Sequence, residues 1–148
     1  MSVINRHFPD DGALFAACSQ HWASAQVLPD PQAWTRLGDP EERLLAGLSD
    51  LYRFYRDAEP MLTNIRRDRA AIPKEVRQRT DAIETTYRVT LLQPFRVRGT
   101  RRRKLGAVLG HAISFWTWRS LCLEHGLTDR EATEAMTALV MATAGTRR

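Results

Sequence analysis

Histidine and cysteine are among the residue types of this chain that could bind a metal or carry acid–base and nucleophilic chemistry. His21 and His125 have no second histidine or cysteine three or four residues away, and no helical Glu-x-x-His pattern occurs. Gly-x-Ser-x-Gly, His-Glu-x-x-His, Cys-x-x-Cys and phosphate-binding glycine loops are also missing from the sequence. His111 lies in an apolar segment and is expected to be a hydrogen-bonded core histidine. The sequence therefore predicts no metal site, no cofactor and no enzymatic activity.

The cysteines and the apolar segments limit the class of protein. Cys18 and Cys122 lie far apart in apolar stretches, which favours two reduced thiols in the core of a cytoplasmic protein. The N-terminus carries Arg6 and Asp10 where a secretion signal needs an apolar run. The longest stretch without Asp, Glu, Lys or Arg is the 14 residues of 105–118. A membrane span needs about 18 or more, so we expect no membrane span and a cytoplasmic location.

The positive charge is concentrated in one short segment. The chain of 148 residues has a formal net charge of +5. Six of the positive charges lie within the nine residues 96–104: Arg96, Arg98, Arg101, Arg102, Arg103 and Lys104. The other 139 residues together have a net charge of −1. We expect a solvated turn and helix start here. An anion or an acidic partner is the alternative, because cations at a helix N-terminus oppose the helix dipole.

Helix punctuation recurs along the chain, whereas strand patterns are nearly absent. Asp39, Pro40 and the following acids predict a helix start, and apolar residues over 44–55 follow one helix face. Thr128 with Glu131 predicts a capping box, and a glycine at 145 predicts a helix end. The predicted elements are a helix over about 10–26, a loop over 27–35 anchored by Trp34, a helix from 40 to 56–57, a short helix over 60–71, a helix over 73–95, a long helix over 100–125 and a last helix over 128–145. The predicted fold is all-α, an antiparallel helical bundle of about five long helices and one short one.

The last two predicted helices are more apolar than one buried face requires. Large exposed apolar surfaces usually mark a partner, and two-fold self-association is the commonest case. We therefore predict a homodimer, with burial of both helices in the centre of a monomer as the alternative. The predicted interface residues lie on these two helices: Leu105, Leu109, Ala112, Trp116, Arg119, Leu123, Ala132, Met136, Leu139, Val140 and Thr143.

The first residues carry a resemblance to a known family. Ser2, Val3 and the run Arg6-His7-Phe8 resemble the end of the recognition helix in tetracycline-repressor-like (TetR) transcriptional regulators. The following segment 11–22 is similar to that family's long connecting helix. Later segments, Asp39–Leu44 and 52–62, are similar to regulatory domains of one branch, so the resemblance covers the whole chain. Asn5 stands where the family usually has a tyrosine, which removes an aromatic phosphate contact.

The resemblance implies the ligand-sensing and dimerising region of such a regulator, with the fold of a TetR C-terminal domain. Residues 1–8 would be a remnant of the DNA-recognition helix, with Ser2, Asn5, Arg6 and His7 as its DNA-binding side chains, and residues 9–148 would be the ligand-binding and dimerisation domain. A helix-turn-helix needs its first helix on the DNA backbone. Operator DNA is therefore an expected partner only if the missing N-terminal helices are present.

The resemblance also places a ligand pocket among the helices, where aromatic side chains are concentrated. Such sites are mostly apolar with few polar groups, so the expected effector is a small apolar or aromatic molecule. The candidate wall consists of apolar side chains with His111 as a polar group: Phe15, Trp22, Leu51, Tyr55, Met61, Ile65, Tyr87, Leu91 and Trp116. The alternatives are that these residues form an ordinary core, and that the chain is a stand-alone helical protein-interaction module without DNA function.

Overall fold

The computed structural model describes residues 11–145, and of positions 11, 12, 15, 16 and 19 it describes the backbone alone. Within that range the chain is all-α, as predicted, and no strand occurs. The helices are α1 (Asp11–Ser24), α2 (Pro31–Trp34), α3 (Pro40–Arg67), α4 (Lys74–Leu92), α5 (Gly99–Ala112), α6 (Phe115–Arg119) and α7 (Asp129–Ala144), with a 3₁₀ turn at Arg69–Ala71 and a π-helical turn at Ser120–Glu124. The predicted recognition-helix remnant over 1–8 lies outside the described residues.

Three helix ends follow the predicted capping chemistry. The Asp39 carboxylate accepts a hydrogen bond from the backbone N–H of Glu42, with Pro40 at the first helical position of α3. Thr128 and Glu131 form the reciprocal capping box that starts α7. Gly145 ends α7 with φ 72°, a left-handed conformation that favours glycine.

The predicted break at Pro60 is wrong, because α3 continues through it to Arg67. A proline in a helix interior removes one hydrogen bond and costs about 3 kcal/mol. The helix continues because its apolar stripe does, with Ala58 and Leu62 buried on either side of the proline. The separate short helix predicted over 60–71 is therefore the end of α3 and a single 3₁₀ turn.

The long helix predicted over 100–125 is also wrong, because it breaks between α5 and α6. Tyr52 Oη donates a hydrogen bond of 2.6 Å to the carbonyl of Ala112, and Tyr55 Oη donates one of 2.5 Å to the carbonyl of Ile113. In an unbroken helix these carbonyls would accept backbone N–H groups one turn later. The hydroxyl groups of two tyrosines on α3 are the donors to these carbonyls instead. Helix α5 therefore ends here, and α6 begins as a separate helix.

Helix α3 is the centre of the bundle. It packs against α2, α4, α6 and α7, and α5 packs against α4, α6 and α7. The crossing of α3 and α4 is close, since a Cβ atom at Gly47 would lie 2.5 Å from Leu91 Cδ2. Helix α1 joins this core through Trp22, whose ring centroid lies 6.2 Å from that of Phe54.

A buried arginine joins the start of α3 to the end of α4. Arg43 is 6% exposed, and its guanidinium donates to the carbonyls of Leu37 (2.7 Å) and Thr90 (3.1 Å) and to Gln93 Oε1 (2.8 Å). Carbonyl dipoles at the C-terminal end of α4 thus compensate a charge that would be costly to bury alone. This contact sets the spacing between the two helices at this end of the bundle.

Trp34 anchors the predicted loop over 27–35, as expected, although residues 31–34 form the short helix α2. Its ring is 2% exposed, and Nε1 donates a 3.0 Å hydrogen bond to Asp50 Oδ2. Both cysteines are free thiols. Cys122 is buried as predicted, whereas Cys18 is exposed, so the prediction of two core thiols is wrong for Cys18.

Candidate functional site

The predicted ligand wall includes three residues of the packed core. Leu51 and Leu91 have no exposed surface, and Tyr55 is 3% exposed. A side chain without accessible surface borders no space that admits a water molecule, so Leu51 and Leu91 line no cavity in this conformation. Tyr55 bonds the α5–α6 junction instead, and burial raises the pKa of its phenol well above the ordinary value.

The other predicted wall residues are spread over the molecule. Met61 and Trp116 are 37% and 44% exposed, His111 is also exposed, and the rest with described side chains are half-buried: Trp22, Ile65 and Tyr87. The side chain of Phe15 lies outside the described part of the chain. None of these residues borders any of the three concavities found on the described surface.

His111 is not the core histidine that the sequence predicts. Its ring is exposed, and both ring nitrogens lie 3.4 Å from the hydroxyl of Thr117 across the α5–α6 break. The prediction assumed one continuous apolar helix. The buried face of α5 carries Leu109 and Ala112, and His111 lies outside that face.

A polar cluster that the sequence did not reveal joins α3, α6 and α7. Asp129 Oδ1 accepts from Trp118 Nε1 (2.9 Å) and from Arg56 Nη2 (2.8 Å), and its Oδ2 accepts from Arg56 Nε (2.9 Å). Partial burial raises the pKa of the Asp129 carboxyl, but these hydrogen bonds lower the pKa by a larger amount, so the net shift is downward. Burial and the nearby Asp129 charge raise the pKa of the Cys122 thiol to about 11. The cluster thus joins α3, α6 and α7 through hydrogen bonds to one carboxylate.

Five of the predicted interface residues lie in the core of the single chain. They have no exposed surface: Leu105, Leu109, Ala112, Ala132 and Val140. The sequence showed that α5 and α7 are apolar but not which face of each would be covered. Their mutual contact and the contact of α7 with α3 cover these five residues, and a second copy cannot reach them in this conformation.

The other six predicted interface residues keep accessible surface. Trp116, Leu123 and Leu139 are 44%, 45% and 43% exposed. Met136, Arg119 and Thr143 are half-buried. Sequence reasoning missed the alanines beside Leu139, and together they make the outer α7 face: Ala135, Ala138, Leu139 and Ala142, all exposed. No charged residue follows Glu134 in α7, so this face is an apolar strip on the described surface.

A groove between α4 and α5 has a charged lining. It has a volume of about 660 Å³, and its lining includes Arg88 from α4 and Arg102 and Arg103 from α5. Within the described range these three side chains have no carboxylate within 4 Å. Sequence reasoning identified Arg102 and Arg103 as part of a basic run, but Arg88 joins them only through the packing of the two helices.

The described residues form neither a metal-binding cluster nor a membrane-spanning helix. No group of three or more His, Cys, Asp or Glu side chains there could hold a metal ion. No helix in that part of the chain is both long and apolar enough to cross a membrane.

Comparison with known proteins adds no relative to these observations. No family model, no curated protein and no solved structure matches the chain.

Proposed function

We propose that the chain is the dimerising, ligand-sensing domain of a TetR-like transcriptional regulator in the cytoplasm. The observation that carries the proposal is the outer α7 face, an apolar strip that no other described residue covers. Residues 2–8 and the order of the helices supply the resemblance to the family. We propose no catalytic role and no cofactor.

The composition of the outer α7 face suits a contact between two copies. Ala135, Ala138 and Ala142 are small, so a second helix can approach closely, and Leu139 can interdigitate across a two-fold axis. A stable interface buries about 800 Å² on each partner, which is more than one strip of four residues offers. Trp116 and Leu123 would supply further apolar surface if they lie at the same contact.

The expected effector is a small apolar or aromatic molecule. The side chains predicted to hold it are in part closed in the core, so its binding would require a second conformation in which α3 and α4 separate. A ligand favours such a conformation only by binding it more tightly than the closed one. Operator DNA would be bound only by a complete helix-turn-helix joined to the N-terminal end.

Sedimentation equilibrium of the 148-residue chain tests the dimer. We expect a mass twice the 16.9 kDa of one chain, and a Leu139→Glu variant should sediment as a folded monomer because it places a charge in the contact. The matched control is Val89→Glu, an apolar position on α4 that is 54% exposed against 43% for Leu139, and this variant should remain dimeric. A monomeric unmodified chain, or equal behaviour of the two variants, contradicts the proposal.

The alternative function is a stand-alone module that binds a different protein through the same outer α7 face. The same exposure of Leu139 favours it. The sedimentation experiment separates the two functions: a stable monomer of the unmodified chain supports the interaction module and opposes the regulator.

A further inference from the structure

The groove between α4 and α5 is built around one arginine and two glycines. A Cβ atom at Gly106 would lie 3.8 Å from Arg88 Nη1, and one at Gly110 would lie 3.6 Å from Arg88 Cδ. Arg88 therefore lies along the glycine side of α5. Since both glycines lack a side chain, the floor of the groove beside Arg88 is helix backbone, and the space above it stays open.

The lining of the groove carries only positive charge, and the nearest acid on α4 is Glu84, one turn before Arg88. The sequence from Thr85 to Leu123 contains no Asp or Glu. Arg88 has no hydrogen-bond or ion-pair partner among the described residues. Arg102 reaches only the carbonyls of Phe95 and Val97, at 3.4 and 3.5 Å, which are long for hydrogen bonds. Two to three guanidinium groups are thus free to bind an anion.

The stability of the fold does not account for this arrangement. Arg102 lies in the first turn of α5, where the helix dipole disfavours positive charge, and Arg103 is the next residue. Arg101 and Lys104 beside them add repulsion between like charges. An anion in the groove would remove both unfavourable interactions.

A second concavity extends the groove toward the C-terminal end of α5. It has a volume of about 360 Å³, shares Arg88 and Gly110 with the groove, and reaches Ile113 and Ser114. Glu84 and Asp81 also line this second concavity, and they are paired with Arg66 and Arg69. These carboxylates disfavour a second anionic group there, so a ligand should have its charge at the arginines and an uncharged body toward Ile113.

We propose that this groove binds a small organic anion with one phosphate or carboxylate group and a short apolar body. Guanidinium groups bind both anions through paired N–H donors. Leu92 offers an apolar contact for the body. The volume lies within the range of about 300–1,000 Å³ for small-molecule sites. The site stands apart from the outer α7 face and does not depend on DNA binding.

The test uses NMR titration of the ¹⁵N-labelled 148-residue chain with hexyl phosphate, hexanoate and hexanol. We expect saturable shifts of the backbone amides of Gly99, Gly106 and Gly110 with one or both anions and no saturation with hexanol. The two anion arms decide which head group the groove prefers. Saturation with hexanol at the same concentrations, or shifts confined to other helices, would overturn the proposal.

Two variants separate the groove from general attraction of anions to a basic protein. Arg88→Gln should weaken binding about tenfold or more, the usual loss of a charged hydrogen bond. Arg79→Gln, an exposed arginine on the same helix outside the groove, should change it less than twofold. Equal losses in the two variants would mean diffuse electrostatics and would overturn the proposal.

A third variant closes the groove without changing any charge. Gly110→Leu replaces a poor helix former with a good one, so α5 should remain folded while the side chain occupies the space beside Arg88. We expect binding of the anion to be lost. Unchanged binding of the anion would place it elsewhere and overturn the proposal.

Discussion

Arginines in two regions of this molecule are used in opposite ways. Around the second half of α3 they are paired: Arg56 with Asp129, Arg66 with Glu84, Arg69 with Asp81, and Arg119 with Glu59 and Glu124. Around the start of α5 and its groove, the described residues provide no carboxylate partner for the cations: Arg88, Arg96, Arg98, Arg101, Arg102, Arg103 and Lys104. We name these the paired region and the cationic region.

The difference teaches that equal charges have different consequences for stability. In the paired region each arginine joins two elements, as Arg56 joins α3 to α7. In the cationic region the arginines crowd the positive end of a helix and join nothing through carboxylates. Charge in the first region stabilises the fold. Charge in the cationic region is available to a ligand at some cost in the stability of the fold.

The largest effect is expected at the centre of the paired region. Asp129→Ala leaves the Arg56 guanidinium and Trp118 Nε1 without an acceptor and should lower the free energy of unfolding by about 2–3 kcal/mol. Urea denaturation followed by circular dichroism measures it. The control is Asp57→Ala, whose partner Arg53 lies 3.7 Å away on an exposed surface and whose removal should change stability by less than about 0.5 kcal/mol. Equal effects of the two would contradict the structural role of Asp129.

The pH dependence of stability should reflect the same carboxylate. Because the pKa of Asp129 is lowered in the folded state, the ionised form stabilises the fold at pH values above the ordinary 3.8 of the unfolded chain. That contribution should disappear as the pH falls below 3.8 and through the lower folded-state pKa. The stability difference between the unmodified chain and Asp129→Asn should therefore shrink on acidification. A difference that grows would show that the pKa shift has the opposite sign.

A gain of stability is expected in the cationic region. Arg103→Glu replaces a cation just after the first turn of α5 with an anion, which the helix dipole favours, and should raise the free energy of unfolding by about 0.3–0.5 kcal/mol. Arg103→Gln should give about half of that gain, and salt should reduce both effects. Thermal unfolding at low and high salt measures this. Destabilisation by both variants would mean that Arg103 has a structural role and that the contrast between the regions is wrong.

The smallest effect is expected at an exposed pair. Arg69 and Asp81 form an ion pair of 2.7 Å with both side chains about half exposed, so Arg69→Gln should lower the free energy of unfolding by only about 0.5 kcal/mol or less. Arg98→Gln, without a partner in the cationic region, should leave stability unchanged or slightly higher. If Arg98→Gln lowered the free energy of unfolding as much as Arg69→Gln, exposed arginines of the two regions would not differ in their effect on stability.

Local chemistry explains which parts of the fold were predictable. The start of α3 at Asp39-Pro40, the capping box at Thr128 and the end at Gly145 depend on residues within one turn of each other, and the structure confirms them. Pro60 and the α5–α6 break were predicted wrongly. Both are decided by distant partners, since Tyr52 and Ala112 are 60 residues apart in the chain.

The candidate sites were less predictable for the same reason. The sequence identified the basic run over 96–104 and the apolar character of α5 and α7. It could not identify Arg88 as a neighbour of Gly106, or show that Leu105 and Val140 face inward while Leu139 faces outward. The direction that a helix face takes depends on the helices that cover it.

The sequence by itself determined the all-α class, most helix starts and the concentration of positive charge in one segment, because composition, caps and periodicity act within a few residues. The tertiary structure alone decided where α5 ends, which faces are covered and which arginines meet a carboxylate. These outcomes depend on side chains brought together from distant parts of the chain. Those contacts form only when the helices pack. They decide which charged side chains stabilise the fold and which remain available to bind an anion.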